Sequence, residues 1–479
     1  MTTSTAFVDS RVLPRPGTRS FTSAALLGSD VFALLLSVTL SVAAKAVFNH
    51  GVDLASYLGL WPFLFVFLLV YAAIGLYSGL AMGAPEELRR ATIASAVLFV
   101  TLAAATVTLR GANRHFTWTL VLAMVLSMVL VPLIRACTRQ LFGTADWWGL
   151  PAVIFGAGEA GESIVRVLKN EPGLGIKPIA IFDENPAPRR AIAGVPVLPL
   201  SSLDPFLRRN QRLSYGVFAM PDVPKERLTQ MIEAHAAEFS HVLVVPDLKG
   251  VASLWVDSKS IGGMVSLEVR QHVSTSNYEC TKRTVDVVFV LLGALLVLPV
   301  SFLIACWIAL DSRGAVFYSQ LRIGRNGCLF RAWKFRSMVV HADQVLQQHL
   351  QANPALYEEW QRDQKLKDDP RVTSAGKFLR RSSLDELPQL WNVLKGDMSL
   401  VGPRPIVENE VERYGTSFET YKRVNGGITG LWQVSGRNDI SYQERVELDM
   451  FYVRNWSVWL DMCILFRTIA VVLFRKGAY

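Results

Sequence analysis

From Val285 to Leu310 the chain runs for 26 residues with Asp286 as its only charge and Pro299 set inside it. Four more apolar stretches, near 24–48, 57–80, 91–110 and 117–136, come before it. Each is long enough for a helix to cross a hydrocarbon core of ~30 Å. With 51% of all residues hydrophobic, the composition together with these runs points to a membrane protein.

The charges between these stretches orient them. Residues 1–20 carry Arg11, Arg15 and Arg19 and read as a cytoplasmic tail, Arg89 and Arg90 mark the second loop, and Arg135 and Arg139 lie at and beyond the end of the fourth stretch. The first loop has no Lys or Arg and the third only Arg110 and Arg114. Lys and Arg concentrate on cytoplasmic sides, so residues 21–145 are expected to form a four-span bundle with both ends in the cytoplasm. Asp30 and Lys45 fall near the ends of the first span. Such positions let a charge reach the interface, and no inverted repeat points to transport.

The fifth run, 285–310, is flanked by Lys282 and Arg283 before it and by Arg313, Arg322 and Arg325 after it. Cations on both sides argue against crossing, and a proline removes a helical hydrogen bond. The expectation is a re-entrant helix-break-helix that enters and leaves by the cytoplasmic face. An ordinary kinked spanning helix is the alternative. Lys282 and Arg283 are expected at lipid headgroups.

Residues 146–275 read as a Rossmann-like α/β domain. Ala152–Phe155 is an apolar strand, Gly156-Ala157-Gly158-Glu159-Ala160-Gly161 opens a helix, and Ile179–Asp183 is a second strand. This is the dinucleotide fingerprint in its structural context, with Asp183 where a ribose-binding acid belongs. Gly156, Gly158, Gly161 and Asp183 are thus candidate cofactor-binding residues, against the alternative that the glycines serve only the turn. An NAD-dependent epimerase or dehydratase would use Tyr-x-x-x-Lys. The match, Tyr278 with Lys282, abuts an apolar run and has no substrate-binding half after it.

The richest stretch is Arg380 to Leu390, where Asp385 and Glu386 sit between Arg380-Arg381 and the helical run Pro388–Lys395 that ends at Gly396. Proline starts helices and glycine ends them, which puts the acids at a helix's amino end. Ser383 with Glu386 also fits a capping box. Residues 313–337 suggest a hairpin turning at Gly324 and Gly327, on which Gln320, Arg322, Lys334 and Arg336 can converge on a phosphate. Arg380, Arg381 and Arg404 are candidate phosphate clamps, because a guanidinium meets phosphate at two points. Gln433, Arg437 and Asn438 are candidate nucleotide contacts. Asn455–Phe474, with central Asp461 and Arg467, reads as an amphipathic interfacial helix.

The net charge of +9 could serve nucleic acid, but no nucleic-acid motif is present. Residues 281–340 hold eight Lys or Arg against two Asp, beside an apolar run, which favours phosphates and anionic lipid as partners. The five cysteines are scattered and argue against a metal or disulfide framework.

In chain order, KFRSM, SLDELPQLWNVLKGDMSLVGPRP and GITGLWQVSGR resemble the motifs of the bacterial sugar transferase family, the polyprenyl-phosphate hexose-1-phosphate transferases. The resemblance covers roughly residues 280–479 and implies that residues 276–479 form an α-rich monotopic catalytic domain. It implies a transferase that moves hexose 1-phosphate from a UDP-hexose to undecaprenyl phosphate and releases UMP. It places the nucleophile on Asp385 and gives Glu386 to Mg2+. It sets the enzyme in the bacterial inner membrane, at the first step of O-antigen, exopolysaccharide or capsule assembly. The order of bundle, Rossmann-like domain and catalytic domain resembles that of galactose-specific members. No residue is assigned to reading the sugar, and a homodimer is left open. A membrane-anchored epimerase or dehydratase, and a nucleotide-sugar-sensing regulator, remain the alternatives.

Overall fold

A computed structural model describes residues 18–48, 61–77, 82–110, 114–184, 191–209, 213–245, 256–261, 264–269, 277–352, 369–435 and 440–474. The chain divides into two compact units, Met1–Lys249 and Gly250–Tyr479.

Helices Thr18–Phe48, Trp61–Ala73, Ala84–Arg110 and Arg114–Phe142 begin the first unit. Among the described residues four helices are long and apolar enough to cross a membrane: Phe21–Val47, Ala84–Thr108, Thr117–Phe142 and Tyr278–Asp311. The stretch expected at 57–80 is shorter as described, a helix of 13 residues over Trp61–Ala73. The bundle packs on small residues, Ala33, Ala91, Ala94 and Ala123, interleaved with Phe67, Tyr71 and Phe99. Small side chains let helices approach where lipid gives no hydrophobic drive between them.

Asp30 does not reach for an interface. It is fully buried, and both its oxygens accept from Arg135, at 2.7 and 2.8 Å. Arg135 also donates to Glu87 at 2.6 Å, so three helices meet at one guanidinium. Glu87 further accepts from Arg139 at 3.1 Å, and Arg139 donates to the Gly173 carbonyl at 2.7 Å. The bundle is thereby tied to the domain that follows it.

That domain is a six-stranded sheet of β1 (Leu150–Phe155), β2 (Ile176–Asp183), β3 (Ala191–Ile192), β4 (Val195–Pro199), β5 (Tyr215–Phe218) and β6 (His241–Val244) in the order β3-β4-β2-β1-β5-β6. All neighbouring pairs are parallel except β3 with β4. β1 is buried throughout. Its Ala152 and Ile154 enter one core cluster, and its Val153 and Phe155 the other, as alternation across a covered parallel strand requires.

The glycine stretch joins β1 to helix Glu159–Asn170. Gly156 turns at φ +103°, and a Cβ on Gly161 would fall 2.0 Å from the Gly156 carbonyl oxygen. Gly158 has nothing within 4 Å of a Cβ. Asp183 takes the Ala157 N–H at 2.6 Å. Its carboxylate therefore closes the loop, and Glu159 and Glu162 occupy the helix's first turn.

In the second unit, helix Asn277–Asp311 runs unbroken through Pro299, so the expected interruption at the proline is not present. Its first turns are sealed into the protein. Lys282 is buried and donates to Asp461 at 2.7 Å, while Arg283 donates to the carbonyls of Val393 and Leu394. This corrects two expectations. Lys282 and Arg283 are not lipid-headgroup contacts, and Asp461, on helix Val458–Phe474, is a core charge rather than an interfacial one. Asp461 also accepts from the Tyr452 hydroxyl at 2.8 Å and Trp456 Nε1 at 3.0 Å, which compensates for desolvation as a buried charge demands. At the far end, Asp311 accepts the Ala375 N–H at 3.1 Å and Arg336 donates to Ser312, to its carbonyl at 2.7 Å and its hydroxyl at 2.8 Å.

Replacing Asp461 with alanine strands Lys282, whose next carboxylate, Asp286, is 3.8 Å away. Removing one partner of a buried pair costs about 3–5 kcal/mol, roughly 10 °C of melting temperature for a unit of this size. Thermal unfolding of the purified protein in detergent reads this directly. A melting point within a degree of wild type would show that the pair does not anchor the helix.

Candidate active site

Helix Ser374–Ser382 is capped by Thr373, whose hydroxyl accepts the Gly376 N–H at 3.0 Å. It ends at Ser383 in the left-handed region, φ +58°. Leu384–Glu386 then form a single 3₁₀ turn, and helix Gln389–Lys395 follows Pro388 and stops at Gly396, φ +95°. The sequence expectation of acids at this helix's amino end holds. The capping box does not form, because Ser383 terminates the preceding helix and makes no side-chain cap.

Strands Phe317–Ile323 and Leu329–Phe335 pair antiparallel, with Gln320 opposite Ala332 and Lys334 opposite Tyr318. Residues two apart share a face, so Gln320, Arg322, Ala332 and Lys334 line the floor of one cleft. Glu386 and Gln389, one helical turn apart, form one wall. Arg404, Pro405, Gly427, Ile428 and Gln433 form the other. That wall depends on glycine. A Cβ on Gly427 would lie 2.1 Å from the Gly402 nitrogen, and the close approach lets Ser399–Val401 pair parallel with Gly427–Thr429. The VGPRP and GITG motifs are therefore neighbours that share one wall.

Lys334 Nζ is the hub, 2.6 Å from Glu386 Oε1 and 3.9 Å from Asp385 Oδ2. The two carboxylates respond in opposite directions. Burial pushes Asp385 above the usual aspartate range, although Lys334 and Arg380 pull the other way. Burial also pushes Glu386 upward, but Lys334, Arg404 and Arg322 outweigh it and leave the carboxyl below its ordinary value. Burial and the neighbouring Arg404 lower Arg322. A cleft that crowds cations this way is built for an anion.

The structure brings together Gln320, Arg322, Lys334, Glu386, Arg404 and Gln433 from the candidates. Asp385 does not line the cleft but shares its lysine. Arg336 is not on the cleft, since it closes the end of the long apolar helix. Arg380 and Arg381 are both exposed and off the cleft wall, and Arg380 Nε donates to the Ser337 hydroxyl at 2.9 Å. Arg437 and Asn438 lie outside the described residues. Gln389 was missed, though its spacing of three from Glu386 was a usable signal. Gly427 and Ile428 carried none, because their role is backbone proximity.

Among the described residues no group of three or more His, Cys, Asp or Glu converges. A Mg2+ at Glu386 would therefore take its remaining ligands from substrate phosphate oxygens and water. Glu386 lines the cleft and has one oxygen bonded to Lys334, which leaves its other oxygen for a hard cation such as Mg2+. The residues fit.

An apolar helix sealed at both ends into a domain with a cationic, carboxylate-edged cleft defines a membrane-associated enzyme of phosphorylated substrates. The chain belongs to the bacterial sugar transferase family, whose model matches residues 277–475, and it is a phosphotransferase. A CoA-binding domain model matches residues 72–246. The UDP-galactose-lipid carrier transferase of Erwinia amylovora is 39% identical over 366 residues, 76% of each chain. The undecaprenyl-phosphate galactose phosphotransferase of Salmonella typhimurium is 38% identical over 369 residues, 76% of this chain and 75% of that one. The UDP-glucose:undecaprenyl-phosphate glucose-1-phosphate transferase of Escherichia coli is 33% identical over 331 residues, 67% of each.

A nucleophile at Asp385 would have to be ionised, so in that case turnover should fall as pH drops through its raised pKa. Lys334 lowers that value, and Lys334→Gln should therefore move the acid limb of the kcat–pH profile to higher pH as well as slowing turnover. An acid limb left in place by this variant would remove Asp385 as the titrating group.

Proposed function

We propose that the protein transfers hexose 1-phosphate, with galactose as the hexose, from a UDP-hexose to undecaprenyl phosphate, and so begins a lipid-linked polysaccharide repeat. The observation that carries the reading is Lys334, held between Asp385 and Glu386 at the edge of a cleft lined by Arg322 and Arg404. The galactose assignment rests on the two relatives at 38–39% identity, both named for galactose.

In the first step an Asp385 carboxylate oxygen attacks the β-phosphorus of the UDP-hexose. A P–O bond to aspartate forms, the bond to the bridging oxygen breaks, and UMP leaves with the electron pair. In the second step an oxygen of undecaprenyl phosphate attacks the same phosphorus. The aspartate is released and undecaprenyl diphosphate hexose is formed. Charge grows on the phosphoryl oxygens in both steps and on the leaving oxygen, the UMP oxygen in the first and the aspartyl oxygen in the second, where Lys334, Arg322 and Arg404 offset it. Bound Mg2+ at Glu386 would add charge neutralisation on the diphosphate. Burial of Asp385 weakens its solvation, and that makes the carboxylate a better nucleophile once ionised.

The long helix is read as re-entrant, with the catalytic domain on the cytoplasmic face of the inner membrane. Two facts support this. Both of its ends are bonded into the same unit, at Lys282–Arg283 and at Asp311–Ser312. Between them Leu295 and Leu310 are each 88% exposed and require lipid to cover them. The helix stays helical through Pro299, so the return would be made by a bend at the proline rather than by the break first expected.

Asp385→Asn is close to isosteric and should abolish transfer with normal expression. Activity above about a tenth of wild type would end the covalent mechanism, since loss of a nucleophile costs several kcal/mol of barrier. Mass spectrometry after incubation with UDP-galactose alone should find the phosphohexose on Asp385 in the wild type. For topology, Arg313→Cys in a background of cysteine-to-serine changes should be labelled from the cytoplasmic side only. Reaction with an impermeant reagent from the outside would make the helix a span.

A further inference from the structure

Lys334 can serve the two carboxylates only if its strand stays in one place beside the Asp385–Glu386 turn. Its Nζ lies 2.6 Å from Glu386 Oε1 and 3.9 Å from Asp385 Oδ2. A buried amide joins the two elements. Asn392 stands on helix Gln389–Lys395, which follows that turn, and is 1% exposed. Its Oδ1 accepts the Trp333 N–H at 3.0 Å, and its Nδ2 donates to the Arg331 carbonyl at 2.8 Å and to Asp397 Oδ2 at 3.2 Å.

Arg331 and Trp333 belong to strand Leu329–Phe335, which also carries Lys334. One edge of that strand pairs with Phe317–Ile323. On the other edge the Arg331 carbonyl and the Trp333 N–H form the pair that a third strand would engage. A primary amide offers the same acceptor and donor as a peptide group, so Asn392 takes that strand's place. It thereby fixes the position of the strand along its own length. The next equivalent pair lies two residues away, and engaging it would carry Lys334 by about 7 Å. The turn end of the hairpin is held elsewhere, by the Ile323 N–H on the Ile406 carbonyl at 2.9 Å and the Asn326 N–H on the Lys422 carbonyl at 2.8 Å. Neither bond reaches the acidic turn.

We propose that Asn392 is a positioning residue of the transferase, setting where Lys334 meets the phosphates of the donor. The proposal rests on the transferase reading above. Asn392 does not line the cleft, so it acts through the lysine and not on the substrate. A strand free to slide or tilt would let Lys334 follow one carboxylate or drift toward solvent. A misplacement of about 1 Å in a site of this kind costs on the order of a hundredfold in rate. The bonds of one buried amide to both elements hold the lysine to its place, as a rigid supporting residue must.

UDP carries both donor phosphates and no sugar to transfer, and its titration by calorimetry into the full-length protein in detergent tests this. Asn392→Ala should weaken UDP binding about tenfold in the wild-type background, the size of one charge-assisted hydrogen bond. In a Lys334→Gln background the same change should alter UDP affinity less than twofold, since the cation that Asn392 delivers is already gone. A role confined to folding would lower affinity by equal factors in both backgrounds, and that additivity would overturn the proposal. A Lys334→Gln protein that binds UDP as tightly as wild type would overturn it too, because no cation would then be reaching a phosphate. Asn392→Asp keeps the acceptor for Trp333 and loses the donor to Arg331, and it reads the same coupling if the alanine variant does not fold. A wild-type protein that shows the coupling but forms no lipid-linked sugar from UDP-galactose would instead sink the transferase reading and leave the placement of Lys334 by Asn392 standing.

Discussion

The second unit depends on charges buried at the start of one apolar helix. Lys282 is taken out of water beside Asp461, which also receives Tyr452 and Trp456. Arg283 closes the carboxyl end of helix Gln389–Lys395 by bonding its last carbonyls, where a cation also meets the favourable end of the helix dipole. Asp286 takes the Leu400 N–H at 3.1 Å and Asp311 the Ala375 N–H at 3.1 Å. Lys282 or Asp286 left alone at such a depth would cost several kcal/mol, and each is met by a partner. Together they fix both helices that bracket Asp385 and Glu386 against a single rod.

On that frame the hairpin supplies Lys334, and the site's electrostatics follow from depth and distance. Asp385 and Glu386 are adjacent in sequence yet are driven apart in acidity. Glu386 meets Lys334 directly and feels Arg322 and Arg404, whereas Asp385 sits farther from Lys334 and loses more to burial than it regains. Two carboxylates with diverging environments can take two roles, one to hold charge and one to react. The cations crowd one another as well, and a bound diphosphate would relieve that.

The first unit shows the same rule inside a bundle. Asp30 and Arg135 lie 105 residues apart, and each is tolerable among apolar helices only because the other is there. Glu87 and Arg139 extend the pair to the sheet domain. In the glycine loop, Gly156, Gly161 and Asp183 each have a geometric reason. Gly156 makes the turn, Gly161 permits contact with it, and Asp183 spends its carboxylate on the loop's own N–H.

Local signals were enough for the elements. Runs of apolar residues marked the long helices, Gly324 and Gly327 marked the turn of the hairpin, and Pro388 with Gly396 bounded the helix beside the acids, because each depends only on neighbours in the chain. The motifs that resemble sugar transferases located Lys334, Asp385, Glu386 and Arg404 within the catalytic domain. The sequence could not say which charges face solvent. Lys282, Arg283 and Asp461 look like interfacial residues in one dimension and prove to be core, and Arg336 leaves the cleft to close a helix. Nor could it show that Gly402 and Gly427 touch, or that Asn392 bonds the strand that carries Lys334. A side chain's own chemistry sets which partner it needs. Only the tertiary fold decides which partner comes within hydrogen-bonding distance, since those pairs are separated by tens to hundreds of residues and nothing local encodes their meeting.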